Sequence, residues 1–312
     1  MNYFEKRDVV VQARIDKVMA ELPGFCQRFA VYCDIKLSKL TACSYLYVLR
    51  QFFAFLGKTN YSIADLDAFK RGDIEAFLHF YQLRIDMNGV IYKHSVIKTF
   101  LGYFFVQGEI TRNVAEQIPM PKIKDKTISR LSKDEVTQLL SAVEKSTDRH
   151  QLRDQTIIIF LLSTGIRVSE LIGLDLKDVD LDDARFTVRR KGGKIETLYM
   201  TDELQMQLRL YMQSIDTSDK NAPLFASEDN PRIADNTVRQ FIEKYASLAG
   251  IKRRVTPHGL RRTFGTQLYR NTRDIFVVAQ FLGHTSVNTT RKHYAAIDED
   301  IKREAVRGYH LF

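Results

Sequence analysis

Between Thr41 and Leu56 the apolar residues Tyr45, Leu49, Phe52 and Leu56 recur at helical spacing, which predicts an amphipathic helix that Gly57 stops. Asp73 to Leu83 repeats the pattern. Lys93 to Val106 does so again, with Val96, Phe100 and Tyr103 on an inner face and Lys93 and Lys98 expected outside. Residues 1–118 therefore predict a compact bundle of four or five helices. The pattern then breaks. Pro119 to Arg130 holds two prolines with Lys122, Lys124, Lys126 and Arg130, and reads as an extended, basic interdomain linker. Ser132 and Glu135 form an S-x-x-E capping box, with Leu131 and Val136 as a hydrophobic staple, so a second domain is expected over 131–312. It opens with helices near 132–145 and 153–163. Two strand-like runs follow, Phe186 to Arg190 and Ile195 to Met200, joined by Lys191-Gly-Gly-Lys194 as a hairpin turn. Helical patterning resumes near 202–214, 236–249, 257–269, 274–282 and 286–296. The fold class expected is mainly α with a small antiparallel β-sheet in the second domain. No internal repeat or low-complexity tract is visible.

A length of 312 residues suits two ordinary domains, and 45% hydrophobic with 27% charged residues fits a chain with real cores. The longest apolar run noted, Ile157 to Leu162, is far too short to span a bilayer. Met1 to Asp8 shows no secretory pattern, so a cytoplasmic protein is expected. Cys26, Cys33 and Cys43 lack metal-ligand spacing and read as buried free thiols. The net charge of +9 favours a polyanionic partner, although many soluble proteins are basic.

The chemistry concentrates in the second domain. Arg167 follows Gly165 at a helix start, with Glu170 three residues on as a ready partner. Lys191 adjoins a Gly-Gly turn. His258 and Arg261 are spaced i, i+3 behind Thr256 and Pro257, which read as N-cap and first helical residue, close to a helix end that stabilises phosphate. His284 follows Leu282-Gly283, and Tyr294 follows Thr289-Thr290. Each alone has an ordinary structural explanation, Tyr294 being one of 14 tyrosines. Together they supply what metal-free phosphodiester cleavage needs: a nucleophile, cationic donors for the non-bridging oxygens and an acid for the departing oxygen. Neither a convincing carboxylate cluster for a metal nor a G-x-x-x-x-G-K-[ST] loop for ATP is present. Asp178-Val-Asp180 and Asp182-Asp183 resemble a surface loop.

In this order and spacing, the motifs Thr164 to Leu171, Arg190 to Lys194, His258 to Arg261, Leu282 to His284 and Thr289 to Tyr294 resemble the tyrosine recombinase (phage integrase) family, in particular its Xer-like and mobile-element integrase members. The helical region, including Lys98 to Phe105, is similar to that family's core-binding domain. The resemblance implies a helical core-binding domain over 1–118, a linker over 119–130 and an α+β catalytic domain with a C-terminal tail over 131–312. It implies a site-specific recombinase, for integration or excision of a mobile element or resolution of DNA multimers, working through a 3′-phosphotyrosine intermediate. Tyr294 would be the nucleophile. Arg167 and Arg261 would bind the phosphate, Lys191 would protonate the leaving oxygen, His258 would assist proton transfer and His284 would donate to the phosphate. No cofactor or metal is implied. The partner implied is double-stranded DNA with inverted-repeat core sites, gripped by a clamp and handled by a homo- or hetero-tetramer on two sites. Arg50, Lys93, Lys98, Lys122 and Lys124 are candidate DNA contacts. The protein would be cytoplasmic and nucleoid-associated.

Three departures from the family pattern stand out. Tyr294 lies one residue further from His284 than the Xer pattern has. Arg262 replaces a frequent histidine, and Asn113-Val114 replaces Asn-Pro. None removes a catalytic group. Two alternatives remain open: a catalytically idle DNA-binding accessory protein of the same fold, and a type IB topoisomerase-like activity.

Overall fold

The structure is a computed structural model that describes residues 3–58, 60–121, 130–228 and 231–283, the side chain of Lys191 excepted. The chain divides into two compact units, Met1–Asp125 and Lys126–Phe312.

The first unit is helical: α1 (Tyr3–Met19), α2 (Cys26–Lys36), α3 (Lys39–Leu56), α4 (Ile63–Ala68), α5 (Arg71–Gln82) and α6 (Met87–Val106), with a 3₁₀ turn at Val114–Gln117. Six helices among the described residues exceed the four or five expected. The short α4 has too few turns to show a periodic stripe. The Tyr45, Leu49, Phe52 and Leu56 stripe lies on α3, where Leu49 and Phe52 are fully buried. Gly57 ends the helix at φ 74°, its N–H reaching the carbonyl of Phe53 at 3.2 Å. Ser38 and Asp86 cap α3 and α6 by accepting from the amides of Thr41 and Gly89. The core is unusually aromatic. Phe29 and Phe52 meet Phe100 and Phe77 edge to face, at centroid separations of 5.1 and 5.2 Å. Cys26, Cys33 and Cys43 are buried free thiols, and burial pushes Cys26 and Cys33 up to about 12.

The second unit begins with α7 (Lys133–Glu144), α8 (Gln151–Thr164) and the five-residue α9 (Val168–Ile172). The expected capping box is present at α7: the Glu135 amide reaches Ser132 Oγ at 3.2 Å, and the Ser132 amide reaches Glu135 Oε2 at 2.8 Å. Strands β1 (Val179–Asp180), β2 (Arg185–Arg189) and β3 (Ile195–Tyr199) form an antiparallel sheet in that order, with Arg185 opposite Tyr199 and Arg189 opposite Ile195. Phe186 and Val188 point into the core from alternate positions of β2, and Phe186 packs on Phe160 of α8 at 4.8 Å. The hairpin is longer than a two-residue Gly-Gly turn. Lys191–Gly193 make a 3₁₀ turn, with Gly192 and Gly193 at φ 80° and 81°. The acidic stretch around residue 180 is only partly the surface loop expected: Asp182 and Asp183 are exposed, but Val179 and Asp180 pair as β1. The unit continues with α10 (Asp202–Gln213), α11 (Asp235–Leu248), α12 (Pro257–Thr272) and α13 (Ile275–Phe281). The helix expected over 286–296 lies outside the described residues. Among the described residues no helix is long and apolar enough to cross a membrane.

Candidate active site

The site grows from two turns and two helix ends. At the end of α8, Gly165 adopts φ 61° and its amide reaches the carbonyl of Leu161. That left-handed residue turns the chain so that Arg167 becomes the N-cap of α9. Glu170, one turn on and 4% exposed, then closes on Arg167 twice. Its Oε2 accepts from the Arg167 amide at 2.9 Å and its Oε1 from Arg167 Nη1 at 2.7 Å. Arg167 keeps about a third of its side chain in solvent. The partnership read from the i, i+3 spacing is therefore present.

Thr256 caps α12 by accepting from the Gly259 amide at 3.1 Å, with Pro257 as first helical residue, as expected. His258 and Arg261 sit one turn apart on that helix but differ in surroundings. His258 is exposed, whereas Arg261 is 3% exposed and turned inward. Arg261 Nη1 donates to the carbonyl of Gly165 at 2.6 Å and Nη2 to that of Leu282. The turn that sets Arg167 is thus held by the side chain of Arg261.

Arg190, which sequence reasoning passed over, completes the cluster. It is buried, and its three edges reach Glu170, Glu196 and the carbonyl of Phe281. The end of α13 is consequently capped by three guanidinium groups in succession: Arg190 on Phe281, Arg261 on Leu282 and Arg167 on Gly283, the last at 3.2 Å. Cations at a helix C-terminus meet its exposed carbonyls and the negative end of its dipole. Gly283 itself has φ 57°, and a Cβ there would lie 3.0 Å from the Arg190 guanidinium. The only signal for Arg190 in the sequence was its place beside Lys191; its burial follows from Glu170 and α13, which are distant along the chain.

The remaining candidates divide. The main chain at Lys191 is described, on the hairpin turn; its side chain, like His284, Tyr294, Lys122 and Lys124, lies outside the described residues. Arg50 pairs with Glu21 at 3.2 Å and stacks on Tyr47, and Lys98 is exposed with Glu116 at 3.3 Å. The expectation that Lys93 faces outward is corrected. It is 7% exposed, its Nζ donates to Gln51 and lies 3.9 Å from the Tyr81 ring centre, and burial lowers its pKa. The aromatic face of Tyr81 and the amide of Gln51 stabilise the ammonium where solvent is excluded. A cavity of about 580 Å³ opens beside α7 and α12, lined by Leu131, Val136, Leu162 and Phe264; of the described candidates, Arg167, His258 and Arg261 do not line it.

A two-unit chain with a helical first part, a second part of helices around a three-stranded antiparallel sheet, and buried arginines gathered at one helix end defines a class. Residues 129–300 match the model of the phage integrase family, and the chain belongs to that family, the tyrosine-type site-specific recombinases. It is similar to the tyrosine recombinase XerC of Thermodesulfovibrio yellowstonii, 34% identical over 206 residues, which is 64% of this chain and 68% of that protein. Among solved structures it is similar to XerA recombinase, at 28% identity and a TM-score of 0.51, covering 92% of this chain and 99% of that one. It shares the fold of a lambda integrase crystallised as a tetramer on a Holliday junction, at 18% identity and a TM-score of 0.66, over 83% of this chain and 76% of that one.

Proposed function

We propose that Tyr294 is the nucleophile with which this recombinase cuts DNA, and that Arg167, Lys191, His258, Arg261 and His284 complete its active site. Tyr294 Oη attacks the scissile phosphorus while its proton passes towards His258. The bond from phosphorus to the 5′ oxygen breaks, and that oxygen takes a proton from the Lys191 ammonium. Arg167 and Arg261, with His284, hold the charge that builds on the non-bridging oxygens. Attack by a free 5′-hydroxyl reverses each transfer and releases the tyrosine. One phosphoester bond replaces another, so rejoining needs neither ATP nor a metal.

The observation that carries the reading is the convergence of Arg167 and Arg261 on the carbonyls of Gly283 and Leu282. Residues from three parts of the sequence meet where the chain leads into His284 and Tyr294. Arg261 Nη1 and Nη2 each donate to a main-chain carbonyl here, which fixes the plane of the guanidinium.

The partner proposed is double-stranded DNA with inverted-repeat core sites, worked on by four protomers at two sites, in the cytoplasm at the nucleoid. The net charge of +9 and the fold shared with a DNA-bound tetramer support this. Residues 1–118 act as the core-binding domain, 119–130 as the linker and 131–312 as the catalytic domain. Arg50, Lys98, Lys122 and Lys124 contribute phosphate contacts.

The test is to mix the protein with sheared DNA from its own source, including the region around its gene, denature in detergent, and sequence DNA covalently attached to protein. An adduct at a defined sequence, absent in Tyr294→Phe, is expected. An adduct that persists in the variant would shift the nucleophile to Tyr309. Salt-sensitive binding without any adduct would favour an idle DNA-binding role.

A further inference from the structure

Arg190 is 6% exposed, and each edge of its guanidinium is used. Nη1 meets Glu170 Oε2 at 2.9 Å, Nε meets Glu196 Oε2 at 3.2 Å, and Nη2 donates to the Phe281 carbonyl at 2.9 Å. These partners come from α9, from β3 and from the end of α13. A charge this deeply buried persists only when paired and hydrogen-bonded. Arg167 and Arg190 together balance Glu170 and Glu196. The main chain of Arg190 is fixed as well: its amide reaches the Lys194 carbonyl at 2.7 Å, and its carbonyl receives the Gly193 amide at 3.1 Å. The loop beyond it contains two glycines at positive φ, with open space where a Cβ would stand. Arg190 is therefore the anchored residue at the root of that loop, and Lys191 is the next residue along.

We propose that Arg190 is a positioning residue, which fastens the root of the Lys191 hairpin to Glu170 and to the carbonyl end of α13 and thereby sets Lys191 at the scissile phosphate. This rests on the role given above to Lys191 as general acid. Glu170 holds Arg167 through bonds of its own, so loss of Arg190 frees the hairpin before it disturbs Arg167. Lysine cannot replace it fully, because a point charge does not span three partners as a planar fork does.

Two measurements test it, each on the full chain as Arg190→Gln, with Arg190→Lys as the milder variant should Gln prevent folding. Amide hydrogen exchange at residues 190 and 193 needs no DNA. Protection there is expected to fall at least about tenfold while that of β2 persists; unchanged protection would overturn the anchoring. Cleavage is then measured on the duplex recovered by adduct capture, in its ordinary form and with sulfur in place of the bridging 5′ oxygen. A thiolate leaves without a proton, because a thiol is a far stronger acid than an alcohol. On the oxygen substrate Arg190→Gln and Lys191→Ala are both expected to slow cleavage about 100-fold or more, the usual scale of general acid catalysis. On the sulfur substrate both are expected to return to within about tenfold of the parent protein. Arg190→Lys should fall between. An equal loss on both substrates would show that Arg190 acts elsewhere and would overturn the proposal. If the parent forms no adduct, or Lys191→Ala loses nothing on oxygen, the reading of the site fails instead, and hydrogen exchange still decides whether Arg190 holds the hairpin.

Discussion

Gly165 joins the positive-φ turn to the packing behind it. A Cβ there would stand 2.3 Å from the Phe264 ring, and φ 61° is strained for any L side chain. Gly165→Ala is expected to cost about 2 to 4 kcal/mol, seen as a lower urea midpoint at unchanged slope. Lys93 makes the opposite case, a charged residue with no surface role. Because it is buried against Tyr81 and Gln51, Lys93→Met should leave DNA affinity within about twofold of the parent. Lys98→Ala should weaken binding and flatten the dependence of log affinity on log salt by about one unit, as measured by fluorescence anisotropy. These residues also mark what the sequence discloses. The Arg167 and Glu170 pair was legible because both lie on one helical turn. The burial of Lys93 and Arg190 was not, since it depends on Tyr81, Glu170 and α13, which only the folded chain brings near.

Elements were legible where a stripe or a cap marks them, and the long α1 was not placed by itself. Helices α3, α6 and α12 follow their apolar stripes and caps, whereas the five-residue α9 and the two-residue β1 are too short to display a period. The start of α7 shows how a cap extends beyond its helix. Glu135 closes the capping box and also receives Arg253 Nη2 at 2.6 Å, and Arg253 in turn reaches the carbonyl of Arg130. Arg253, then the amide of Ser132, hold the Glu135 carboxyl down at about 2, against a cost from partial burial. The folded pKa lies below the unfolded value of about 4.3, so the stabilisation is complete above that value and lost as pH falls towards 2. Allowing for solvent screening, it is worth about 1 to 2 kcal/mol. Urea titrations at pH 5 and pH 3 should show a smaller difference for Glu135→Gln than for the parent. An equal difference would place the acid sensitivity elsewhere.

At the scale of the whole molecule, the chain forms two compact units, Met1–Asp125 and Lys126–Phe312, and the sequence pattern changes at the two prolines, Pro119 and Pro121. That Arg167 and Arg261 act at one phosphate was implied only by the family resemblance, and that Arg190 joins them at the end of α13 was not legible, because the three are far apart in sequence. With Lys122, Lys124, Lys126 and Arg130 in the proposed linker, limited trypsin digestion is expected to cut there first. It should leave two fragments that each keep their helical circular dichroism. Early cuts elsewhere would argue against an accessible linker. The three cysteines offer a way to follow the intact chain. All are buried, and Cys26 and Cys33 are pushed up to about 12, so at neutral pH they hold almost none of the reactive thiolate. Alkylating dyes should pass them by in the folded protein. One cysteine introduced on the surface of each unit would then carry the label, and the separation of the two units, with and without DNA, becomes a distance that fluorescence can time in the otherwise unaltered chain.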